Sequence, residues 1–403
     1  LVMVAHPDAV ERVLRSGRDN YVKGSAYDGT RLLLGNGLVT SEGALWRRQR
    51  GLASPAFRPA KLRQYLATMA DCTEQLIADW YAADRAQARD IQREMTRLTL
   101  AIVGRTLFGL DLSRHSDRAA AAFGAALAAI GRRGPGSLQV PLWLPTPGNR
   151  RFRHSLQELD CMVYEIIERF REGEAPDADR TLLGAYLEGR DPVTGVGMDD
   201  RQVRDEVITL YLAGHETTAS LLSWALYLLG RHPDIQARVR TEIDALMPDG
   251  LPSLEQLKSL QYTSQVVHEV LRLYPPAWTV ARNAVTEDEV MGYRVPAGAI
   301  VMISPYFAHR QAEFWPQPAL FDPERFTPAA VAARHPFAYF PFSLGPRICI
   351  GMQFSLYEAR LVLSMLLKHF EIHATDGPEV GTCAAGTLRP AGALRVRLVA
   401  RRG

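Results

Sequence analysis

The chain has 403 residues, 47% of them hydrophobic and 23% charged, with a net charge of +3 at pH 7. This balance is ordinary for a globular enzyme and lacks the dense, clustered cations of a nucleic-acid binder. The length exceeds the ~250–300 residues at which one core usually stops growing, so two lobes or one large helical domain with room for a buried pocket is expected. The chain opens at Leu1 on an apolar Leu-Val-Met-Val run with no initiator methionine, which leaves open an element, or a membrane anchor, upstream of residue 1. Apolar residues at three- and four-residue spacing then predict helices over Asp8–Leu14, Ala44–Ala53, Ala60–Ala82, Asp90–Phe108, Leu156–Glu172, Asp200–Leu229, Asp234–Met247 and Leu257–Tyr274. Short β-like runs follow at Trp278–Val285, Tyr293–Val295, Ile300–Ile303 and Leu394–Val399, separated by a Phe- and Pro-rich stretch, Gln311–Gly345, and by a last helix from Phe354 to Phe370. Arg132–Arg151, rich in Gly, Pro and Arg, reads as irregular. The expected class is therefore mainly α with small β-sheets, without internal repeats.

Three places carry chemistry. The Asp200–Leu229 helix, roughly 45 Å long, holds Ala213-Gly214-His215-Glu216-Thr217-Thr218 at its middle. Small Ala213 and Gly214 allow a cofactor to approach the backbone, a threonine hydroxyl can enter the helix ladder and widen it, and an acid beside a hydroxyl suits proton delivery. His215 reads as a hydrogen-bonded structural group rather than a metal ligand. Glu269 and Arg272 share a helix face among apolar Val266, Val267, Val270 and Leu271, a setting for a buried pair, although by spacing alone a surface salt bridge is favoured. The third place is Phe342-Ser343-Leu344-Gly345-Pro346-Arg347-Ile348-Cys349-Ile350-Gly351. Gly345 permits a tight turn and Gly351 a close helix start, so that Cys349 lies near a helix N-terminus that favours the thiolate. The other cysteines, Cys72, Cys161 and Cys383, are widely spaced with no Cys-x-x-Cys pair, which excludes a zinc site or disulfide framework and fits a reducing, cytoplasmic setting. No apolar run reaches the ~18 residues of a membrane-spanning helix.

The cysteine segment resembles the Phe-x-x-Gly-x-Arg-x-Cys-x-Gly signature of the cytochrome P450 family, and the Ala213–Thr218 and Glu269/Arg272 motifs resemble that family's in the same chain order. The resemblance implies a cytochrome P450 fold, one haem domain over residues 1–403, and haem b between the long helix and the helix after Cys349, the iron ligand. Ala213, Gly214, Phe342, Gly345 and Gly351 would surround the haem. Trp46 and Arg50, matching Trp-x-x-x-Arg, with Arg282 and Arg347, would hold its propionates. Arg325 would join Glu269 and Arg272 in a structural triad. The implied activity is hydroxylation or epoxidation of a hydrophobic small molecule with dioxygen, Thr217 and Glu216 serving proton delivery.

The same resemblance points to the loop Tyr21–Thr40, to Leu210–Ala213, to Ala277, Trp278, Thr279 and Val280, and to the turn at Thr387 as substrate-pocket lining. Val140–Leu144 reads equally as an entrance lid or membrane-grazing patch and as ordinary core. The chain carries no dinucleotide fingerprint and no iron–sulfur cysteine run, so electrons are expected from a separate ferredoxin or flavodoxin with its reductase, steered by exposed Arg47 and Arg48. A monomer is expected, with no nucleic-acid partner. Pro145–Arg153 and the Arg347 loop lean toward the family's fatty-acid-hydroxylase-like branch, with terpenes and macrocyclic natural products also open. A peroxide-driven peroxygenase and a non-catalytic haem sensor or carrier are the alternative readings; the Glu216/Thr217 pair speaks against the first.

Overall fold

A computed structural model describes residues 1–83, 87–132, 140–175, 181–190, 195–247, 251–375, 379–384 and 386–401. Residues 133–139 of the predicted irregular stretch lie outside the described residues. The central element is the helix Asp200–Arg231, which begins where the Asp199 carboxylate accepts the Gln202 N–H. From Val203 to Leu229 it is buried on nearly all sides, as expected of a helix that crosses a body rather than lying on it. It packs on helix Ile91–Val103, on helix Met352–His369 and on strand Phe370–Ala374. Gly214 sets the closest approach: a Cβ there would stand 2.9 Å from Val103 Cγ2, so the neighbouring helix occupies its missing side chain.

The Ile91–Val103 helix ends in a π turn, Gly104–Phe108, within the span predicted as one α-helix. Helix Met352–His369 rests on Pro59–Ala82 and gives way at Phe370 to a strand. A helix over Ser116–Gly131 escaped the sequence reading because its alanine-rich run shows little apolar periodicity. The next helix starts at Pro147, not Leu156, with Thr146 accepting the Asn149 N–H and proline in the first turn. The predicted Leu257–Tyr274 helix is two, Leu254–Ser259 and Gln261–Leu273, because Glu242 from another helix accepts the Tyr262 and Thr263 N–H groups at 2.7 and 2.8 Å.

The β structure is small. Val2–Val4, Ile300–Ile303, Val280–Ala284 and Tyr21–Val22 form one sheet in that order, the first pair parallel and the rest antiparallel. Arg89–Asp90, Arg395–Ala400 and Phe370–Ala374 form a second sheet. Two hairpins, Asp288–Val290 with Tyr293–Val295 and Thr382–Ala384 with Leu388–Pro390, complete it. Within Gln311–Gly345 only Pro323–Phe326 and Pro328–Ala333 are helical before a 3-10 turn, Gly345–Arg347, begins at its end. That stretch is fixed instead by Arg272, which donates to the carbonyls of His309, Pro318 and Leu320 at 2.8–3.0 Å. No helix among the described residues is long and apolar enough to cross a membrane.

Candidate active site

Between the central helix and the cysteine segment lies a cavity of about 270 Å³. Leu210, Ala213, Gly214, Thr217 and Thr218 form one wall, and Phe342, Arg347, Cys349 and Gly351 face them. Cys349 is deep in the protein, yet its sulfur is bare toward this space. The backbone holds it there: Cys349 N–H donates to the Phe342 carbonyl at 2.9 Å and Ile348 N–H to the Gly345 carbonyl at 3.1 Å. Burial raises the thiol's pKa, and the Gly351 N–H and the Arg50 charge, which pull it down, do not overcome that. The helix begins only at Met352 after Gly351, so Cys349 sits outside the first turn and the dipole alone does not prime it. A bound metal cation is what deprotonates a thiol so placed.

Trp46, Arg50, Arg347 and Lys23 line the same cavity. The Arg347 guanidinium lies 4.1 Å above the Trp46 ring, donates to the Ser41 carbonyl at 2.8 Å and approaches Glu42 Oε2 at 3.2 Å. Lys23 has no sequence signal beyond its place in the Tyr21–Thr40 loop. Its ammonium donates to the Val39 carbonyl, and its pKa is pushed well below the usual range by burial and then by the Arg282 and Arg347 charges. Arg282 is buried, donates to the Ala281 carbonyl and does not reach the cavity wall. The cluster is thus a cradle of crowded cations with one acid, Glu42, beside it. Such a group wants an anion.

Gly345 takes the tight turn its motif suggested and has a second task. Its φ is +68°, and a Cβ would meet the Leu14 carbonyl oxygen at 2.3 Å, so it lets the N-terminal segment pack on the loop rather than clearing space for a cofactor. A Cβ on Gly351 would lie 3.8 Å from Phe57 and 4.0 Å from the Cys349 sulfur. The central helix stays α-helical throughout, and Thr217 enters its ladder only by donating to the Ala213 carbonyl at 2.8 Å. Glu216 is off the cavity wall: its Oε1 accepts from Thr387 Oγ1 at 2.7 Å, and its Oε2 is buried without a partner. His215 is buried against Phe123 and Tyr211 and hydrogen-bonded to the Tyr211 carbonyl.

Trp278, Thr279 and Val280 do not line the cavity; Pro276 and Ala277 do. The pairing of Val280 with Ile303 draws that segment into the sheet. Leu38 and Val39 come from the Tyr21–Thr40 loop expected to line the pocket, and Leu107, which was not singled out, completes the apolar wall. Arg48 donates to the Val196 and Gly197 carbonyls, so it does not stand free on the surface as expected. Trp143 is 74% exposed, whereas Leu142 packs on the core.

Away from the cavity, Arg272 holds both oxygens of Glu269 at 2.7 and 2.8 Å, and Arg325 Nε stands 3.6 Å from Glu269 Oε1. Burial still leaves the Glu269 carboxyl raised above its ordinary value.

A lone buried thiol facing a long helix, apolar walls and a cationic corner define a haem-thiolate protein. The donor set fits the group: the Cys349 thiol lines the cavity for the iron, and Arg50, Arg347 and Lys23 line it for the carboxylates. The sequence profile of the cytochrome P450 family matches residues 1–392, and the chain belongs to that family. It is 36% identical over 376 residues to a cyclooctat-9-en-7-ol 5-monooxygenase of Streptomyces melanosporofaciens, covering 93% of this chain and 81% of that protein. It is 34% identical over 399 residues to a pentalenene oxygenase of Streptomyces avermitilis, covering 98% and 87%. A bifunctional cytochrome P450/NADPH–P450 reductase of Bacillus cereus is 32% identical over 414 residues, where this chain spans 38% of its length. The protein is a haem-dependent cytochrome P450 monooxygenase.

Proposed function

We propose that residues 1–403 form a single haem domain that hydroxylates or epoxidises a terpene-type hydrocarbon or its alcohol, fed by a separate electron donor. One observation carries this: every cation on the cavity wall, Lys23, Arg50 and Arg347, belongs to the cluster suited to the haem propionates. Among the described residues, the remaining wall, including Leu38, Val39, Leu107, Leu210, Leu271 and Ala277, has no charged group to anchor a fatty-acid carboxylate. Such a surface selects by shape and apolar area, at about 25 cal/mol per Å² buried. The relatives named for pentalenene and for cyclooctat-9-en-7-ol support the same reading.

When bound, haem supplies oxygen activation through a thiolate-ligated iron. Cys349 is the ligand. Trp46, Arg50, Arg347 and Lys23 would hold its carboxylates, and the small side chain of Ala213 would leave room beside the central helix. Thr217, bonded to the Ala213 carbonyl, presents its oxygen to the cavity, and Glu216 one residue away carries protons toward it. The test is a visible-absorbance titration of the ferric protein with pentalenene, cyclooctat-9-en-7-ol and palmitate. A saturable low-spin to high-spin change with either terpenoid, followed by a product one oxygen heavier under ferredoxin-driven turnover, is expected. A change with palmitate alone would return the fatty-acid reading.

A further inference from the structure

The Glu216 carboxylate does not face the cavity. It is on the helix turn that presents Thr217, yet it turns to the C-terminal hairpin, where Thr387 Oγ1 donates to Oε1 at 2.7 Å. Its second oxygen is buried and without a partner, so the Thr387 hydroxyl is the one hydrogen-bond donor given to that carboxylate among the described residues. A buried acceptor left unpaired is costly, so the carboxylate's placement depends on the one donor it has. The hairpin that brings Thr387 is itself anchored on two sides. Ser220 Oγ, one turn along the central helix, donates to the Leu388 carbonyl at 2.9 Å. Leu388 N–H donates to the carbonyl of Pro276, which lies on the cavity wall, at 2.8 Å. Leu388, next to Thr387, is therefore tied to the central helix through Ser220 and to the cavity wall through Pro276. It is half-buried between exposed Gly386 and buried Leu388, at the outer edge of the site.

We propose that Thr387 is a positioning residue for Glu216, holding the acid at the hairpin so that protons reach it from that side and leave it toward Thr217. This rests on the reading of Glu216 as the proton carrier. A hydroxyl suits the place because it donates to the carboxylate while its lone pairs still accept from water. When a Glu216 oxygen takes a proton, that proton comes from solvent hydronium relayed through water at the hairpin, which is left as water, and Glu216 returns to the carboxylate on releasing it.

The experiment compares Thr387→Val, Thr387→Ser, Glu216→Gln and the Glu216→Gln/Thr387→Val double variant as haem-loaded proteins, with ferredoxin, its reductase and pentalenene. Product formed per reductant consumed is read together with peroxide released. Haem content and the carbonyl-complex spectrum are read first, and Thr387→Ala replaces Thr387→Val if the latter loads poorly. Thr387→Val is expected to lower the coupling 3- to 10-fold with a matching rise in peroxide. Thr387→Ser should restore it, the double variant should be no worse than Glu216→Gln alone, and turnover driven by added peroxide should be unchanged. Coupling at the wild-type level in Thr387→Val, with Glu216→Gln impaired, overturns the positioning role and leaves the carrier reading intact. Multiplied defects in the double variant, or loss of peroxide-driven turnover, overturn it in favour of a structural role. Wild-type coupling in Glu216→Gln overturns the carrier reading and this inference with it.

Discussion

Two glycines of the cysteine motif should behave oppositely when each is replaced by alanine. At Gly345 the backbone is left-handed, with φ of +68°, and the new Cβ would stand 2.3 Å from the Leu14 carbonyl oxygen. The left-handed conformation costs an L-residue about 1–2 kcal/mol. The clash is with backbone rather than a flexible side chain, and overpacking of this kind costs about 1–3 kcal/mol. Relief would require moving the Arg12–Ser16 turn, whose Val13 and Leu14 are buried in a satellite core with Phe340. Gly345→Ala should therefore lose about 2–5 kcal/mol in all. At Gly351 φ is −85°, ordinary for any residue, and the Cβ meets nothing nearer than 3.8 Å. Gly351→Ala should stay within about 1 kcal/mol of the parent, with its cost appearing as fewer haems per chain. Urea unfolding of protein prepared without haem, and the haem content and thiolate signature of the carbonyl complex in loaded samples, separate the two. Equal destabilisation by both substitutions, or none by Gly345→Ala, would refute the assignment of Gly345 to the N-terminal contact.

The buried triad should fail asymmetrically: Glu269→Ala strands the Arg272 guanidinium at 0% exposure and is expected to cost about 3–5 kcal/mol in urea unfolding, whereas Arg325→Ala, whose Nε is 3.6 Å from the carboxylate, should cost less. Glu206, fully buried on the central helix, has its pKa pushed up to about 8, burial leading and Asp205 adding, against the Leu38 N–H, Gln202 and Tyr186. Between its ordinary 4.5 and about 8 the folded protein keeps a proton that the unfolded chain has lost, so stability should fall as pH rises through that window, by no more than about 1.4 kcal/mol per pH unit. Glu206→Gln should flatten that slope in urea midpoints taken across the window; an unchanged slope would assign it to other groups. Lys23→Met should leave haem-free protein as stable as the parent or more so at neutral pH, since a buried cation is replaced by an apolar chain of similar length, while haem dissociates faster. Haem transfer to apomyoglobin measures the second effect, and an unchanged rate would remove Lys23 from the carboxylate cluster.

What could be read from the sequence was what lies within one or two turns. Cys349 and Arg347, Trp46 and Arg50, Glu216 and Thr217, and Glu269 and Arg272 each have a partner of fitting chemistry within four residues, and for Trp46/Arg50 and Glu269/Arg272 the spacing also places the pair on one helix face. What could not be read needs a second segment. Gly214 lines the cavity, but its missing side chain also makes room for Val103, and Gly345, a turn residue with φ of +68°, also makes room for Leu14. Lys23 becomes part of the cation cluster only because Arg347, more than three hundred positions later, lies beside it. The helix over Gln261–Leu273 is cut from its predecessor by a carboxylate on a different helix, Glu242, which no window over Leu257–Tyr274 contains. The fold was legible for a related reason. Long amphipathic helices declare themselves locally, whereas Ser116–Gly131, whose alanines bury little and repel little, takes its place from the helices it packs on. A motif match thus identifies which residues matter at this site, but the reason a given glycine or lysine is required can be the packing of a distant segment, and substitution experiments on such residues should be interpreted against that segment first.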